Sequence, residues 1–430
     1  MNTELQGGAL TDALDFTAKA PGAPARSFRQ VLNPINSGSA SPGDVVKFDI
    51  PVGRPNQFID TSETLFQFGV LNGTANDAFN LDGSAYCFIN RLDVLSAGSV
   101  LETIQGYNVL TNTLLDLQVG SAAASPMSIN LGTIFAGSLN YDKTGKQIAK
   151  SGTGEFSLPL ACSGVLGSGC SRYLPVGKTG LNDLRLELTL ENAAQAVVQA
   201  ANVATYTITN PQLVLTYVEI DPEMGKQLEM ATGGRYLISS ESWRNYQTIL
   251  PASRTSDSVL IPARYSSAKT FLHTWRDNAN ATDQTKYWLS SRTNPFFSST
   301  GVQCSIQYNI ANMLVPQSPV KGGVAETWNN TQDCFHQLGS ISGQSRCSIN
   351  NWVTAAYAAD ATMGSFAFGQ DLSSFKHKST DMTTGMNTLS QPTFLNLTYP
   401  ATISIANRLD TFCMFDMLLE IDDAGLRARY

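Results

Sequence analysis

Val214-Leu-Thr-Tyr-Val-Glu-Ile-Asp221 is an apolar run closed by Glu-Ile-Asp, and it returns 201 residues later as Phe415-Asp-Met-Leu-Leu-Glu-Ile-Asp422. From Gln212 to Ile220 nearly every position is apolar, which predicts a strand buried on both faces. Such a strand needs a sheet around it, so its return predicts a second sheet of the same kind. Three further matches keep the same order. Ile50-Pro51 and Ile261-Pro262 each close a β-like run, 211 apart, and Cys87-Phe-Ile89 answers Cys304-Ser-Ile306 at 217. Gly98-Ser-Val-Leu-Glu-Thr103 answers Gly322-Gly-Val-Ala-Glu-Thr327 at 224, and each copy is expected to continue into a helix, ending at Leu117 and Leu338. Each match is weak alone; four in one order, with offsets between 201 and 224, indicate a duplicated chain.

Outside these anchors the texture is short β runs divided by turn residues. Val45–Ile50 stops at Pro51, Thr64–Val70 stops at Asn72-Gly73, and Leu184, Leu186, Leu188 and Leu190 alternate with Arg185, Glu187 and Thr189. Alternation of that kind marks a strand with one buried face. Helical spacing is sparse: Val100–Gln118, Glu191–Ala201 and Ala325–Leu338. The fold class is therefore all-β with short helical inserts. Many strands with Pro/Gly-rich turns make sandwiches or jelly rolls, which hide their sheet edges. The expected plan is two tandem eight-stranded β-sandwiches over 45–221 and 236–425. A flexible, Gly/Ala/Ser/Pro-rich arm over 1–44 precedes them, a helix and Gly-Gly joint over 222–235 links them, and a tail over 426–430 follows.

The chain has 430 residues, 42% of them apolar, so two cores are affordable. Charged residues are only 15%, against roughly 25% in ordinary soluble proteins. That deficit points to amide and hydroxyl surface or to surface hidden between subunits. A net charge of −7 argues against a protein that wraps nucleic acid, whose sign is normally positive. Met1–Phe16 does not read as a secretory signal, and the longest apolar candidate, Phe412–Ile421, is interrupted by Asp416, so no membrane helix is expected. Seven scattered cysteines without a C-x-x-C pair suit a reducing compartment. Cys162 and Cys170 are close enough in sequence for a small disulfide, though two separate thiols are the expectation.

Chemistry-bearing constellations are thin. The three histidines are His273, in a strand-like run before Trp275 and expected to be structural; His336, beside Cys334 but without an acidic partner; and His377, between two lysines and solvated. Val176-Gly-Lys-Thr179 has the tail of a phosphate loop, but the glycine such a loop needs five residues before Gly177 is Arg172. Leu166-Gly-Ser-Gly169 lacks the spacing of a nucleophile elbow. The carboxylates Glu219, Asp221, Asp422 and Asp423 sit at strand ends, where turn formation explains them. No catalytic, cofactor or metal residues are assigned, and no enzyme is expected. Lys19, Arg26, Arg29, Arg427 and Arg429 are too few for more than modest contact with an anionic surface.

Taken together, the repeat, the inserts after Gly98 and Gly322 and the paired closing strands at 212–221 and 413–422 resemble the double jelly-roll major capsid proteins of icosahedral DNA viruses. These include tailless membrane-containing phages, algal giant viruses, Polinton-like and adinto-like viruses and, more distantly, adenovirus hexons. The resemblance covers about 45–425. It implies a structural virion protein whose homotrimers form pseudo-hexagonal capsomers, with neighbouring capsomers, penton and minor capsid proteins as partners. It also implies that the termini lie inward, towards the base, where they could contact an inner membrane, and that no nucleic acid is bound sequence-specifically. Loops 71–86, 119–156 and 339–390 would crown or clasp the capsomer, with 119–154 the best candidate. The competing reading is a tandem β-sandwich that binds glycans or a receptor through exposed rings such as Tyr287-Trp288 or Trp352 with Tyr357.

Overall fold

The structure is a computed structural model that describes residues 25–74, 77–120, 127–133, 144–177, 183–200, 203–297, 304–335, 345–353, 364–373, 385–423 and 425–430. Among the described residues, sixteen main strands build the four large sheets of its two halves. The first half has β1 Ala25–Leu32, β2 Val45–Ile50, β3 Gln57–Asn72 and β4 Ile89–Ser96. It continues with β5 Ser99–Gln105, β6 Thr153–Pro159, β7 Leu184–Leu190 and β8 Tyr206–Ile220. The second half has β9 Tyr236–Leu250, β10 Arg254–Ile261, β11 Ala268–Asp277 and β12 Ser305–Ile310. It ends with β13 Met313–Lys321, β14 Phe368–Asp371, β15 Thr393–Ile403 and β16 Asn407–Asp422.

Each half folds into two facing sheets. The first half has the strand orders β1-β8-β3-β6 and β2-β7-β4-β5, and the second β9-β16-β11-β14 and β10-β15-β12-β13. Adding eight to every strand of the first half gives the second, so both are eight-stranded jelly rolls of one topology. Strand β7 shows why the pattern folds this way. Leu184, Leu186, Leu188 and Leu190 are buried, while the half-buried outer face pairs Arg185 with Asp49 at 2.6 Å and Glu187 with Lys47 at 3.2 Å. The first core is aromatic: Phe66 stacks on Phe68 at 4.7 Å, and Phe88 meets Tyr206 at 4.7 Å. Among the described residues, most buried apolar side chains of both halves form one connected cluster.

Helix α1 Tyr107–Gln118 follows β5, α2 Pro222–Thr232 joins the halves, and α3 Val324–Asp333 follows β13. In α2, Asp221 accepts from the Glu223 amide at 2.9 Å, Pro222 opens the helix, and Gly233 closes it at φ 62°. None of its residues is buried.

Several expectations need correction. The arm does not extend to residue 44: Ala25–Leu32 is the opening strand β1 of the first jelly roll, and Ser39–Ala40 also pairs with β8. The tail is likewise a strand, Gly425–Arg429, laid along β16 beside the end of β11. Both run along sheet edges, where exposed residues erase the apolar alternation by which a strand is recognised. Residues 99–105 are strand rather than helix, and Glu191–Ala201 keeps only a turn of helix at Ala193–Ala196. The Gly98 and Gly322 matches are not equivalent: Gly98 sits in the β4–β5 turn, whereas Gly322 lies between β13 and α3. The other three matches join topologically equivalent strands. Loops 71–86 and 119–156 also contain strands, because Val197–Val198, Phe79–Asp82 and Thr144–Ile148 form a small third sheet. Residues 1–24 and Leu338 lie outside the described residues.

Candidate functional site

The most built-up polar region lies between the two jelly rolls. Three buried carboxylates of the first half reach into the second. Asp82, ending the Phe79–Asp82 strand, accepts from the amides of Leu289 at 2.6 Å and Ser290 at 3.1 Å. Glu102 on β5 accepts from the Ser163 hydroxyl at 2.6 Å, the Gly164 amide at 2.7 Å and the Ser242 hydroxyl of β9. Asp116, in the last turn of α1, accepts from the Arg292 guanidinium and, at 3.3 Å, from Arg346. Burial pushes the Glu102 carboxyl above its ordinary range, and its hydrogen bonds, including one from the Val165 backbone, pull against that shift. Gln284 adds a reciprocal pair with Ala204, donating and accepting at 2.8 Å. Separating the halves would exchange these bonds for bonds to water, a net loss of about 0.5–1.5 kcal/mol each and about 1.5–3 kcal/mol where a charge takes part. The two barrels therefore behave as one body.

Backbone closes the same joint. The Glu241 amide donates to the Gly169 carbonyl at 3.0 Å and the Ser171 amide to the Ser239 carbonyl at 3.3 Å, so the 161–171 loop runs along the edge of β9. Gly169 lies so close that a Cβ would sit 2.2 Å from the Glu241 carbonyl oxygen. The terminal Tyr430 hydroxyl donates to the Leu101 carbonyl, tying the end of the second half to β5.

At one end of the molecule the repeated Glu-Ile-Asp motif does the same work twice. Glu219 accepts from Arg26 Nε at 2.7 Å with Arg54 at 3.7 Å, and Glu420 pairs with Arg235 at 2.5 Å and Arg429 at 2.6 Å. The Arg26 hydrogen bond holds the Glu219 carboxyl below its usual range. Each closing strand thus clamps an arginine at the start of its opening strand. The entry of β1 at Ala25, helix α2 and the C-terminal strand meet at this end. Arg29 reaches Gln67 at 3.1 Å, so most of the terminal basic residues are engaged within the chain, and Lys19 lies outside the described residues.

The suspected chemistry resolves into structure. His273 is fully buried, with Nδ1 2.9 Å from Thr411 Oγ1 and Nε2 2.6 Å from the Tyr308 hydroxyl, and burial lowers its pKa to about 3. It is a neutral core residue. His336 and His377 lie outside the described residues, as do Lys178 and Thr179. Gly177 is required by packing, since a Cβ there would meet the Arg54 carbonyl oxygen at 1.9 Å. Cys162 and Cys170 are both thiols, and burial pushes Cys162 up to about 12. Asp221 serves as the cap of α2. The rings proposed for sugar stacking are covered: Tyr287, Trp288 and Trp352 are buried, and the Arg276 guanidinium lies 4.0 Å over Trp288. Tyr357 lies outside the described residues. The joint carboxylates escaped sequence reading because each stands alone, 140 or more residues from its partner across the joint.

No family model and no curated protein matches the sequence. Solved structures do. The PBCV-1 virus capsid quasi-atomic model matches with a TM-score of 0.61 at 12% identity, covering 96% of this chain and 98% of that one. The Faustovirus major capsid protein matches at 0.59 and 9% identity, covering 95% and 92%. The mavirus major capsid protein matches at 0.53 and 10%, covering 98% and 94%. The likeness spans both barrels and the joint between them, and this chain has the double jelly-roll fold of those viral major capsid proteins.

Proposed function

We propose that the chain is a major capsid protein, a non-enzymatic virion component whose homotrimers form pseudo-hexagonal capsomers tiling an icosahedral shell around a DNA genome. One observation carries this reading: two barrels of identical topology are fused side by side by a buried joint into one body. Three such bodies supply six similar units to a closed ring. The full-length likeness to capsid proteins supports the same conclusion. Its partners are further copies, neighbouring capsomers and the penton and minor proteins of the shell. The end carrying Ala25, α2 and the C-terminal strand is the inward one.

The test is solution mass with electron micrographs of the same sample. The expected mass is three times 46.3 kDa, with triangular or hexagonal particles; a monomer at every concentration overturns the reading. Deleting residues 1–24, which stops short of β1, should leave the trimer intact and impair shell assembly.

A further inference from the structure

Inside the chain the barrels meet along β5 and β9, and the equivalent strands β13 and β1 lie on the two outer flanks. Their registers can be matched residue by residue. The β4–β5 hairpin turns through Ala97 and Gly98 at φ 48° and 79°, and the β12–β13 hairpin through Ala311 and Asn312 at 52° and 64°. Counted from these turns, Ser99 corresponds to Met313 and Val100 to Leu314. Beyond the bulge in the first hairpin, Glu102 opposite Val94 corresponds to Val315 opposite Tyr308. On the other strand, Ser242 pairs with Phe415 and Val31 with Val214, the residues that open the repeated closing motif. The contact made within the chain is Glu102 on Ser242. The residues at the matching positions on the flanks are Val315 and Val31.

At the matched positions the flanks carry valines where the joint carries Glu102 and Ser242, with Arg29 and Gln317 among the exposed polar residues farther along the same strands. Val31 is 46% exposed, with Phe28 at 37% and Ile35 at 52% nearby, and β1 is the edge of its sheet. Val315 is half-buried, and beside it Met313 and Leu314 are 54% and 50% exposed. We propose that the β13 edge of one copy packs against the β1 edge of the next, Val315 on Val31, repeating head-to-tail the contact that β5 makes with β9 inside each chain. This rests on the capsomer reading, because a head-to-tail contact stays finite only if it closes into a ring. The change of chemistry also sets the order of barrels. Docking β5 on β1 would bury Glu102 against Val31 without the hydroxyl it needs, so the internal and external contacts do not interchange.

The experiment is proximity crosslinking of the full chain. A Val31→Cys/Val315→Cys double variant treated with a short bismaleimide should give covalent dimers and trimers on a denaturing gel. Each single variant should give only the background that native thiols such as Cys170 produce in the wild type. A wild type that is trimeric by mass, with a double variant that crosslinks no more than background, overturns this contact and leaves the capsomer reading standing. A monomeric wild type overturns the capsomer reading and this contact with it. In a second arm, Val31→Asp should drop the mass from three chains to one without changing the circular dichroism, and Val315→Lys in the same chain should restore it. A Val31→Asp protein of wild-type mass overturns the contact.

Discussion

Strand β1 opens the first barrel with almost every residue exposed, whereas β9, at the same place in the second barrel, buries Ile238, Ser240, Ser242, Trp243 and Asn245. Each pairs antiparallel with the closing strand of its barrel, over eight residues for β1 and fifteen for β9, and the neighbours differ. Three of those buried residues are polar, and each donates a side-chain hydrogen bond: Ser240 to the Met417 carbonyl, Asn245 to Asp410 and Ser242 to Glu102 of the first barrel. Burial along an edge strand is therefore a property of what lies next to it, not of the strand. The interiors differ too. The first core is built largely from Phe and Leu, while the second encloses His273 and the Arg276–Asp410 pair, both members almost wholly buried.

The largest expected effect tests whether the joint is as firmly built as the second core. Asp410→Ala leaves Arg276 buried without its carboxylate, and Asp116→Ala does the same to Arg292 at the joint. Each should cost about 3–5 kcal/mol in chemical denaturation. Both variants should still unfold in one transition. Two separated transitions in Asp116→Ala would mean that the barrels are independent and that the joint only rests between them.

The barrels themselves should respond alike at matched positions. Leu186 on β7 faces Phe48 and Val94 in its ladders, Leu395 on β15 faces Val259 and Tyr308, and both leucines are fully buried. Leu186→Ala and Leu395→Ala are expected to cost about 2–5 kcal/mol each, read from denaturation midpoints. A loss confined to one of them breaks the equivalence that the topology implies.

How much of this was legible beforehand depended on where a residue's partners lie. The Glu-Ile-Asp strands, the Ile-Pro strand ends, the alternating leucines of β7 and the capped helix α2 announce themselves, because local pattern and core burial agree. Strand β1 does not: Ala-Arg-Ser-Phe-Arg-Gln-Val-Leu lies on an exposed sheet edge, so nothing within the described residues forces alternation. The best-scoring match misled for a related reason. Gly98 and Gly322 answer different demands: Gly98 adopts φ 79° in a hairpin, whereas a Cβ on Gly322 would lie 2.2 Å from the Cys304 sulfur. Identity of residue type did not mean identity of place. The joint was invisible, since Asp82, Glu102 and Asp116 are single carboxylates whose meaning comes only from the other half.

Acid should distinguish the two interiors. All three histidines belong to the second half, and His273 is held neutral by burial, with a pKa of about 3 against the ordinary 6.5. Its folded value lies below its unfolded one, so the unfolded chain binds the extra proton first. The stability it contributes is complete above pH 6.5 and is lost as pH falls towards 3, by about 2 kcal/mol at pH 5. His273→Gln should flatten that part of the stability profile whatever it does to stability at pH 7. An unchanged slope would place the acid sensitivity on other groups.

The smallest expected effect bears most directly on the contrast between β1 and β9. In the unassembled chain at high dilution, Val31→Asp changes an exposed edge and should move stability by no more than about 0.5 kcal/mol. Ser242→Asp, at the same ladder position, sets a second carboxylate against buried Glu102 and should cost far more, with the difference shrinking in acid as the raised Glu102 pKa lets that group protonate. If the two substitutions cost the same, β1 is already covered within its own chain, and the first flank is not the open counterpart of the joint. If they differ as expected, β1 stands open in the single chain, as it must if the internal contact is the template for an external one.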